Sequence, residues 1–195
     1  MIFKDMTELL HDDCINDVSI EHFEITQKDL RAIFQGIPLG KYVRLMRRNE
    51  LLMSNTPMEE RTNIEFCQKA YGDVLIGGLG IGMIIAAIQD NPVVSSITVI
   101  EIDQDVIDLI KNQNILNNKV HIICDNVFTW KPNKSTKYDC IYMDIWSYIN
   151  NEIYHNEMKP LKRKYGHYLK PLSESPNRFN LCWAERNAKH GIRLY

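Results

Sequence analysis

The hydrophobic and polar positions follow two different patterns along the chain. Residues 41–54, KYVRLMRRNELLMS, alternate between apolar and polar side chains around a polar centre and predict a β-hairpin. Val74–Ile76 instead form a continuous apolar run, which is typical of a strand buried on both faces of a parallel sheet. The two patterns predict an N-terminal extension over residues 1–55 and an α/β domain over residues 56–195.

Helices and strands are expected to alternate through the second region, as a doubly wound sheet requires. The clearest helix spans residues 55–72, where Thr56, Pro57 and Glu59 supply the N-cap, the first-turn proline and the acid of a capping box. Its apolar side is expected to hold Ile64, Phe66, Cys67 and Ala70. Further strands are predicted within residues 95–103, 119–126, 138–146 and 178–183, and further helices within 26–36, 83–88, 106–112, 152–169 and 184–191.

A glycine turn follows the apolar run at Val74–Ile76. Gly77, Gly78, Gly80 and Gly82 leave room for a ligand to lie against the backbone amides between a strand and a helix. A dinucleotide fingerprint needs glycines at i, i+2 and i+5, and neither possible register has the third glycine. The G-x-G-x-G pattern resembles the S-adenosylmethionine (SAM) loop of class I methyltransferases, although glycine clusters also form strand-to-helix turns that bind nothing.

Acidic side chains end the three strands that follow the glycine turn. Glu101 stands where an acid can accept hydrogen bonds from both ribose hydroxyls of an adenosine ligand. Asp125, with Asn126 beside it, can receive the exocyclic amine of adenine, and Asp144 ends the next strand. Because ligands of open α/β sheets bind at the carboxyl ends of the strands, these acids are candidate site residues. The alternative for Asp125 and Asp144 is that they cap the turns or helices that follow them.

Together the glycine loop, VIEID, CDN and YDCIYMD resemble class I SAM-dependent methyltransferases over about residues 70–146. The details are most similar to the spermidine synthase branch, which also places a small β extension ahead of the nucleotide fold. The resemblance implies a Rossmann-like fold, here shortened at its C-terminus, and the cofactor SAM. It also implies that the cofactor is bound by Gly77, Gly78, Gly80, Gly82, Glu101, Ile102, Asp125, Asn126 and Asp144.

Two departures separate the chain from true aminopropyltransferases. The loop acid that those enzymes use for decarboxylated SAM falls at Gly80, and the loop contains no acid. Their Asp-Ser-Ser-Asp-Pro stretch is replaced by residues 144–148, DIWSY, which lack the second carboxylate. A ligand that keeps its own carboxylate, SAM itself, is therefore expected.

The main hypothesis is a SAM-dependent methyltransferase in which Asp144 orients or deprotonates the acceptor, with Tyr148 as a weaker candidate for positioning. The alternative is an aminopropyltransferase that uses decarboxylated SAM, for which Glu59, Glu60 and Asp144 are the available acids. For Glu59 and Glu60, favourable placement at a helix N-terminus is the simpler interpretation. A SAM-binding protein without transferase activity is a third hypothesis.

Composition limits the remaining possibilities. A net charge of −2 over 195 residues gives no indication of nucleic-acid binding, and no segment has the length of a membrane span or the apolar core of a signal peptide. The five cysteines are scattered and are not spaced as metal ligands, so we expect reduced thiols, no metal site and a cytoplasmic location. We also expect a small-molecule substrate. A possible homo-oligomer is the remaining prediction, in which a second subunit covers an exposed edge of the sheet.

Overall fold

The computed structural model describes residues 2–194 and contains two β-sheets. The first is an antiparallel sheet with strands in the order β1-β2-β3-β4. Its strands are β1 (Asp13–Ile15), β2 (Val18–Ile25), β3 (Gly40–Arg47) and β4 (Glu50–Ser54), preceded by α1 (Met6–Leu9) and interrupted by α2 (Leu30–Phe34). The predicted hairpin is confirmed as β3 and β4, and the sheet extends it by two strands that the sequence analysis did not detect.

The second sheet is parallel and has five strands in the order β7-β6-β5-β8-β9. Its strands are β5 (Gly72–Gly77), β6 (Val94–Glu101), β7 (Val120–Cys124), β8 (Cys140–Met143) and β9 (Phe179–Cys182). All five lie within the segments predicted from the sequence apart from small differences at their ends. The doubly wound, Rossmann-like fold class is therefore confirmed.

Helices cover both faces of the parallel sheet. Three of them, α3 (Pro57–Lys69), α4 (Met83–Ile88) and α5 (Gln104–Asn112), share one hydrophobic core with the antiparallel sheet. The second core contains α6 (Asn151–Ile153), the π-helical turn Tyr154–Met158, α7 (Lys159–Gly166) and α8 (Glu185–His190). Strand β5 contributes to both cores, since Val74 and Ile76 point to the first and Leu75 to the second. This two-sided burial is what the continuous apolar run predicted.

Several local predictions in this region are wrong. Helix α3 ends at Lys69, and Gly72, predicted as its last residue, begins β5 instead. The Thr56 side chain makes no capping hydrogen bond, so the capping box is not formed. Ile64 is exposed rather than part of the apolar side.

The order of the strands determines where a ligand can bind. The chain moves from β5 to β6 and β7 on one side of the sheet and then crosses to β8 and β9 on the other. The strand order therefore reverses between β5 and β8, which leaves a crevice at their carboxyl ends. None of the helices formed by residues 2–194 combines the length and the apolar character that crossing a membrane requires.

Candidate functional site

A cavity of about 460 Å³ lies in this crevice, within the range of small-molecule sites. The loops after β5, β6, β7 and β8 all contribute to it, and β3, β4 and the start of α3 close one side. Of the predicted site residues, the cavity is lined by Gly78, Gly80, Glu101, Ile102, Asp125, Asn126 and Asp144. The fold thus brings together residues that are up to 66 positions apart in the sequence, from Gly78 to Asp144.

Gly78 lies where two strand ends meet. The Asp144 amide donates to the Gly77 carbonyl over 2.7 Å, and the Gly78 amide donates to the Ile100 carbonyl over 2.8 Å. A Cβ atom at Gly78 would overlap the Asp144 carbonyl, and its φ of +95° is disfavoured for other residues. Glycine at this position therefore lets the backbone after β5 approach Asp144 closely.

The antiparallel sheet reaches the glycine loop through Met53 in β4. Its sulfur accepts a hydrogen bond from the Ile81 amide over 3.2 Å. The same sulfur fills the space that a side chain at Gly80 would need, and Gly80 has a φ of +51°. The N-terminal extension therefore forms one wall of the cavity and supports its loop.

Glu101 lies at the end of β6 and is held by backbone amides. One carboxylate oxygen accepts from the Leu79 amide over 2.9 Å and the other from the Asp103 amide over 3.0 Å. Burial raises the pKa of Glu101 above its ordinary value, and these hydrogen bonds oppose the shift. Glu101 thus connects β6 to the glycine loop, and each of its oxygens has a second lone pair for a ligand.

Asp125 and Asn126 follow β7 at the mouth of the cavity. The Asn126 amide donates to the Asp125 carboxylate over 2.6 Å, and the Asn126 side-chain oxygen accepts from the Phe128 amide over 2.8 Å. The turn toward Phe128 is therefore capped by Asn126 and not by Asp125, the residue that the alternative interpretation named. Asp125 itself is exposed beside the cavity.

Asp144 shares the cavity with Glu59, from the first turn of α3. Burial and the nearby charge of Glu59 raise the pKa of Asp144 well above its ordinary value. Burial raises the pKa of Glu59 to about 7. Glu60, its neighbour in the same helical turn, does not line the cavity. With Glu101, three of the acidic residues that line this cavity have raised pKa values.

Other residues behave differently from the sequence predictions. Tyr148 is 66% exposed and is not among the residues that line the cavity, whereas Trp146 does line it. The Trp146 indole donates to Glu157 over 2.7 Å, which holds the ring in place. Gly77 and Gly82 belong to the loop without lining the cavity, and Gly82 precedes the first residue of α4.

Sequence reasoning did not assign Arg47 or Met53 to the site and favoured an electrostatic role for Glu59. Arg47, at the end of β3, pairs with Asp103 after β6 and so joins the two sheets beside the cavity. The sequence around Arg47 and Met53 does not indicate that these residues line the cavity, because they reach it only through packing of the β3–β4 hairpin on the glycine loop. The one indication was the resemblance to the spermidine synthase branch, which also places a small β extension ahead of the nucleotide fold.

The cavity fits an adenosyl ligand by its own features. Its volume of about 460 Å³ is that of a small-molecule site, Gly78 and Gly80 lie in its wall, and Glu101 presents lone pairs at the end of β6. Within residues 2–194, no group of three or more His, Cys, Asp or Glu side chains is arranged to hold a metal ion.

The sequence matches no family model, and a search of curated proteins finds no match. Among solved structures, spermidine synthase from Thermotoga maritima is 15% identical in sequence and gives a TM-score of 0.50. The match covers 83% of this chain and 53% of the spermidine synthase chain. The N-methyltransferase NodS from Bradyrhizobium japonicum, solved with S-adenosylhomocysteine, is 14% identical and gives a TM-score of 0.44. The match covers 59% of this chain and 58% of the NodS chain.

A SAM-dependent methyltransferase from Clostridium acetobutylicum is 17% identical, with coverages of 58% and 44% and a TM-score of 0.38. The chain spans about half the length of these solved structures. At such identities the comparison concerns the fold alone. The chain has the Rossmann-like fold of class I methyltransferases and, over most of its length, the fold of a spermidine synthase.

Proposed function

We propose that this protein is a SAM-dependent methyltransferase whose acceptor is a small molecule. One observation carries the proposal: the glycine loop, Glu101 and Asp144 converge on a single cavity at the point where the strand order reverses. This is the position at which doubly wound folds bind nucleotide ligands. A cavity of about 460 Å³ lies within the range of sites that bind small molecules.

The chain's own residues have distinct roles in this proposal. The backbone at Gly78 and Gly80 faces the amino-acid end of the cofactor, since both residues line the cavity. Glu101 accepts hydrogen bonds from the ribose hydroxyls with the lone pairs that Leu79 and Asp103 leave free. Asp125 and Asn126, at the mouth, bind the adenine edge.

Bound SAM supplies an electrophilic methyl group on a sulfonium that carries its own leaving group. The protein then has to orient the acceptor and exclude water, and orientation alone can lower a barrier by roughly 7–11 kcal/mol. In this proposal Asp144 orients the acceptor, which is supported by its position in the cavity lining beside the glycine loop. Burial and the charge of Glu59 raise the pKa of Asp144, which makes it a stronger proton acceptor than an ordinary aspartate.

Aminopropyl transfer from decarboxylated SAM is the second candidate. The pair of acids formed by Glu59 and Asp144 favours it, since a polyamine acceptor needs carboxylates. The space over Gly80 argues against it. Met53 fills the volume in which a loop acid would have to stand, so the loop offers no carboxylate to a decarboxylated cofactor.

Thermal stabilisation tests both candidates. The protein is heated with SAM, S-adenosylhomocysteine, decarboxylated SAM, methylthioadenosine or NAD at equal concentration. We expect SAM and S-adenosylhomocysteine to raise the melting temperature most. A larger shift with decarboxylated SAM would favour the second candidate, and a shift with NAD alone would contradict both. Binding of SAM without methyl transfer to any acceptor would identify a binding protein without transferase activity.

A further inference from the structure

A second cavity, of about 560 Å³, lies beside β9, the last strand in the order of the parallel sheet. Residues of α3, α7, α8 and the carboxyl end of β9 line it, and none of its described lining residues also lines the candidate site. Trp183 lines the first cavity, and its indole donates over 2.9 Å to Thr62, which lines the second. The two cavities are therefore separate neighbours, and the volume of the second is also that of a small-molecule site.

The inner part of the second cavity is aromatic and apolar. Phe66 and Tyr142 line it and are almost completely buried, and their rings stack with centroids 4.1 Å apart. Tyr154 and Leu181 add further carbon surface to the lining. The Tyr142 hydroxyl already has a partner, because it donates to Asn63 over 2.8 Å. This part of the cavity therefore suits the aromatic or aliphatic body of a ligand rather than its polar groups.

The charged groups around the second cavity have an excess of cations. Its lining includes four Lys or Arg side chains and two carboxylates, namely Arg61, Lys162, Arg186, Lys189, Glu65 and Glu185. Both acids are already paired, Glu185 with Lys162 over 2.6 Å and Glu65 with Lys69 over 2.7 Å. Because the acids are neutralised by these lysines, they do not cancel the charge of the other cations in the lining.

Two of those cations, Arg186 and Lys189, are available to a ligand. Both side chains are exposed, and within residues 2–194 no hydrogen bond or ion pair engages either of them. They stand three positions apart in α8, a spacing that places them on the same face of the helix. The outer part of the cavity therefore presents a guanidinium and an ammonium group side by side.

The distribution of charge along the chain strengthens this preference for anions. Residues 159–194 contain nine Lys or Arg residues and two Asp or Glu residues, although the whole chain has a net charge of −2. A region of one sign of charge raises the local concentration of ions of the opposite sign. The candidate site, by contrast, is lined by five carboxyl groups and one guanidinium. Of the two cavities, the second is therefore the one that attracts an anion.

We propose that the second cavity is a binding site for a small aromatic compound that carries a phosphate or carboxylate group. The aromatic body lies in the inner part beside Phe66 and Tyr142, and Arg186 and Lys189 bind the anionic group. Arginine can donate two parallel hydrogen bonds to either anion, and lysine adds a compact positive charge. An aromatic amine is repelled by these cations, and a neutral alcohol gains nothing from them. The site goes beyond the proposed function, because it requires neither SAM nor Asp144.

The test titrates the full chain by isothermal titration calorimetry without SAM. The aromatic anions are phenyl phosphate and phenylacetate, and the controls are inorganic phosphate, phenethylamine and phenethyl alcohol. Arg186→Gln and Lys189→Gln each remove one cation from the lining, with Arg163→Gln and Lys159→Gln as matched controls in α7 outside it. Asn187→Trp adds bulk at the cavity wall without a change in charge. Melting temperatures establish first that each variant is folded.

We expect both aromatic anions to bind more tightly than inorganic phosphate, and the amine and the alcohol to bind much more weakly. Arg186→Gln and Lys189→Gln should each raise the Kd of the tighter anion about three- to tenfold, whereas the two α7 controls should have little effect. Asn187→Trp should abolish binding. Asp144→Asn should leave it unchanged, since Asp144 lines only the first cavity.

Equal effects of the α7 and α8 substitutions would indicate a general response to surface charge and would overturn the inference. Unchanged binding by Asn187→Trp, or inorganic phosphate that binds as tightly as phenyl phosphate, would overturn it as well. Loss of binding in Asp144→Asn would place the compound in the first cavity instead.

Discussion

The two ends of β8 hold aspartates in opposite electrostatic environments. Asp139, just before the strand, is 4% exposed and accepts from Lys170 over 2.7 Å and from the Asp73 amide over 2.7 Å. Burial alone would raise the pKa of Asp139, but the Lys170 hydrogen bond and the backbone hydrogen bond outweigh it and lower that pKa. Within residues 2–194, Asp144, just after the strand, has no such partner, and burial together with the charge of Glu59 raises its pKa.

The difference distinguishes a structural acid from a candidate functional acid on the same strand. At the amino end, Lys170 also binds Asp73 over 2.8 Å, and Ser96 donates to Asp73 over 2.8 Å, so the cluster is satisfied internally. At the carboxyl end, Asp144 and Glu59 line a cavity that is large enough for a ligand to interact with them. Unsatisfied buried carboxyl groups are costly to the fold, which makes a ligand-binding role the better explanation for Asp144.

The largest effect is expected from Asp144→Asn. Loss of the proton acceptor should reduce methyl transfer by about 10²–10⁴-fold, the usual contribution of general acid–base catalysis, with SAM affinity nearly unchanged. Single-turnover rates and calorimetric SAM titrations on the same preparation measure the two quantities. Turnover equal to that of the wild type would remove Asp144 from the mechanism.

Lys170→Met is expected to reduce stability, whereas Asp144→Asn is expected to reduce turnover. Removal of the cation leaves Asp139 buried without its charged partner, and the free energy of unfolding should fall by about 3 kcal/mol. Urea denaturation measures this, with Lys134→Met at an exposed position as the control. Because Lys170 is remote from the cavity lining, SAM affinity of the folded variant should match the wild type. Loss of affinity without loss of stability would contradict the distinction between the two ends.

A smaller effect is expected from Glu59→Gln on the pH dependence of stability. A carboxyl group whose pKa is raised from 4.5 to about 7 on folding costs stability as the pH rises through that interval. The substitution should therefore stabilise the protein by about 1–2 kcal/mol at pH 8 relative to wild type and have little effect at pH 4. Denaturation midpoints at both pH values measure the difference. Equal differences at pH 4 and pH 8 would show that Glu59 is not titrating.

The smallest effect is expected from Glu101→Gln, which keeps the shape of the side chain but removes its charge and replaces one of its two acceptor oxygens by an NH2 group. SAM affinity should decrease about tenfold, because charged acceptors make hydrogen bonds stronger by roughly 1.5 kcal/mol. Isothermal titration calorimetry measures the change, with Glu60→Gln as the control. Unchanged affinity would place the ribose away from Glu101.

The parts of the fold that could be predicted depend on neighbouring residues. The run at Val74–Ile76 and the glycines after it identify a buried strand and a ligand turn because both signals are local. Glu101 and Asp144 could be predicted to lie on the same side of the sheet, because parallel strands all have their carboxyl ends there. β1 and β2 could not be detected from residues whose pairing depends on a distant hairpin.

The missed parts of the site depend on tertiary packing. Glu59 and Glu60 are adjacent in sequence, and only the direction in which α3 meets the cavity makes one of them a lining residue. Met53 and Arg47 reach the site because the antiparallel sheet packs on the glycine loop. Tyr148 is the opposite case, since Ser147 before it lines the cavity but the Tyr148 ring is exposed.

A crystal structure grown with S-adenosylhomocysteine is the most direct test of this interpretation. The interpretation predicts density for the nucleoside in the cavity between Gly78 and Asp144, with the ribose hydroxyls within hydrogen-bonding distance of Glu101 and the sulfur toward Asp144. Density for the compound elsewhere on the protein, or a cavity filled by rearranged side chains with Glu101 turned toward water, would contradict it.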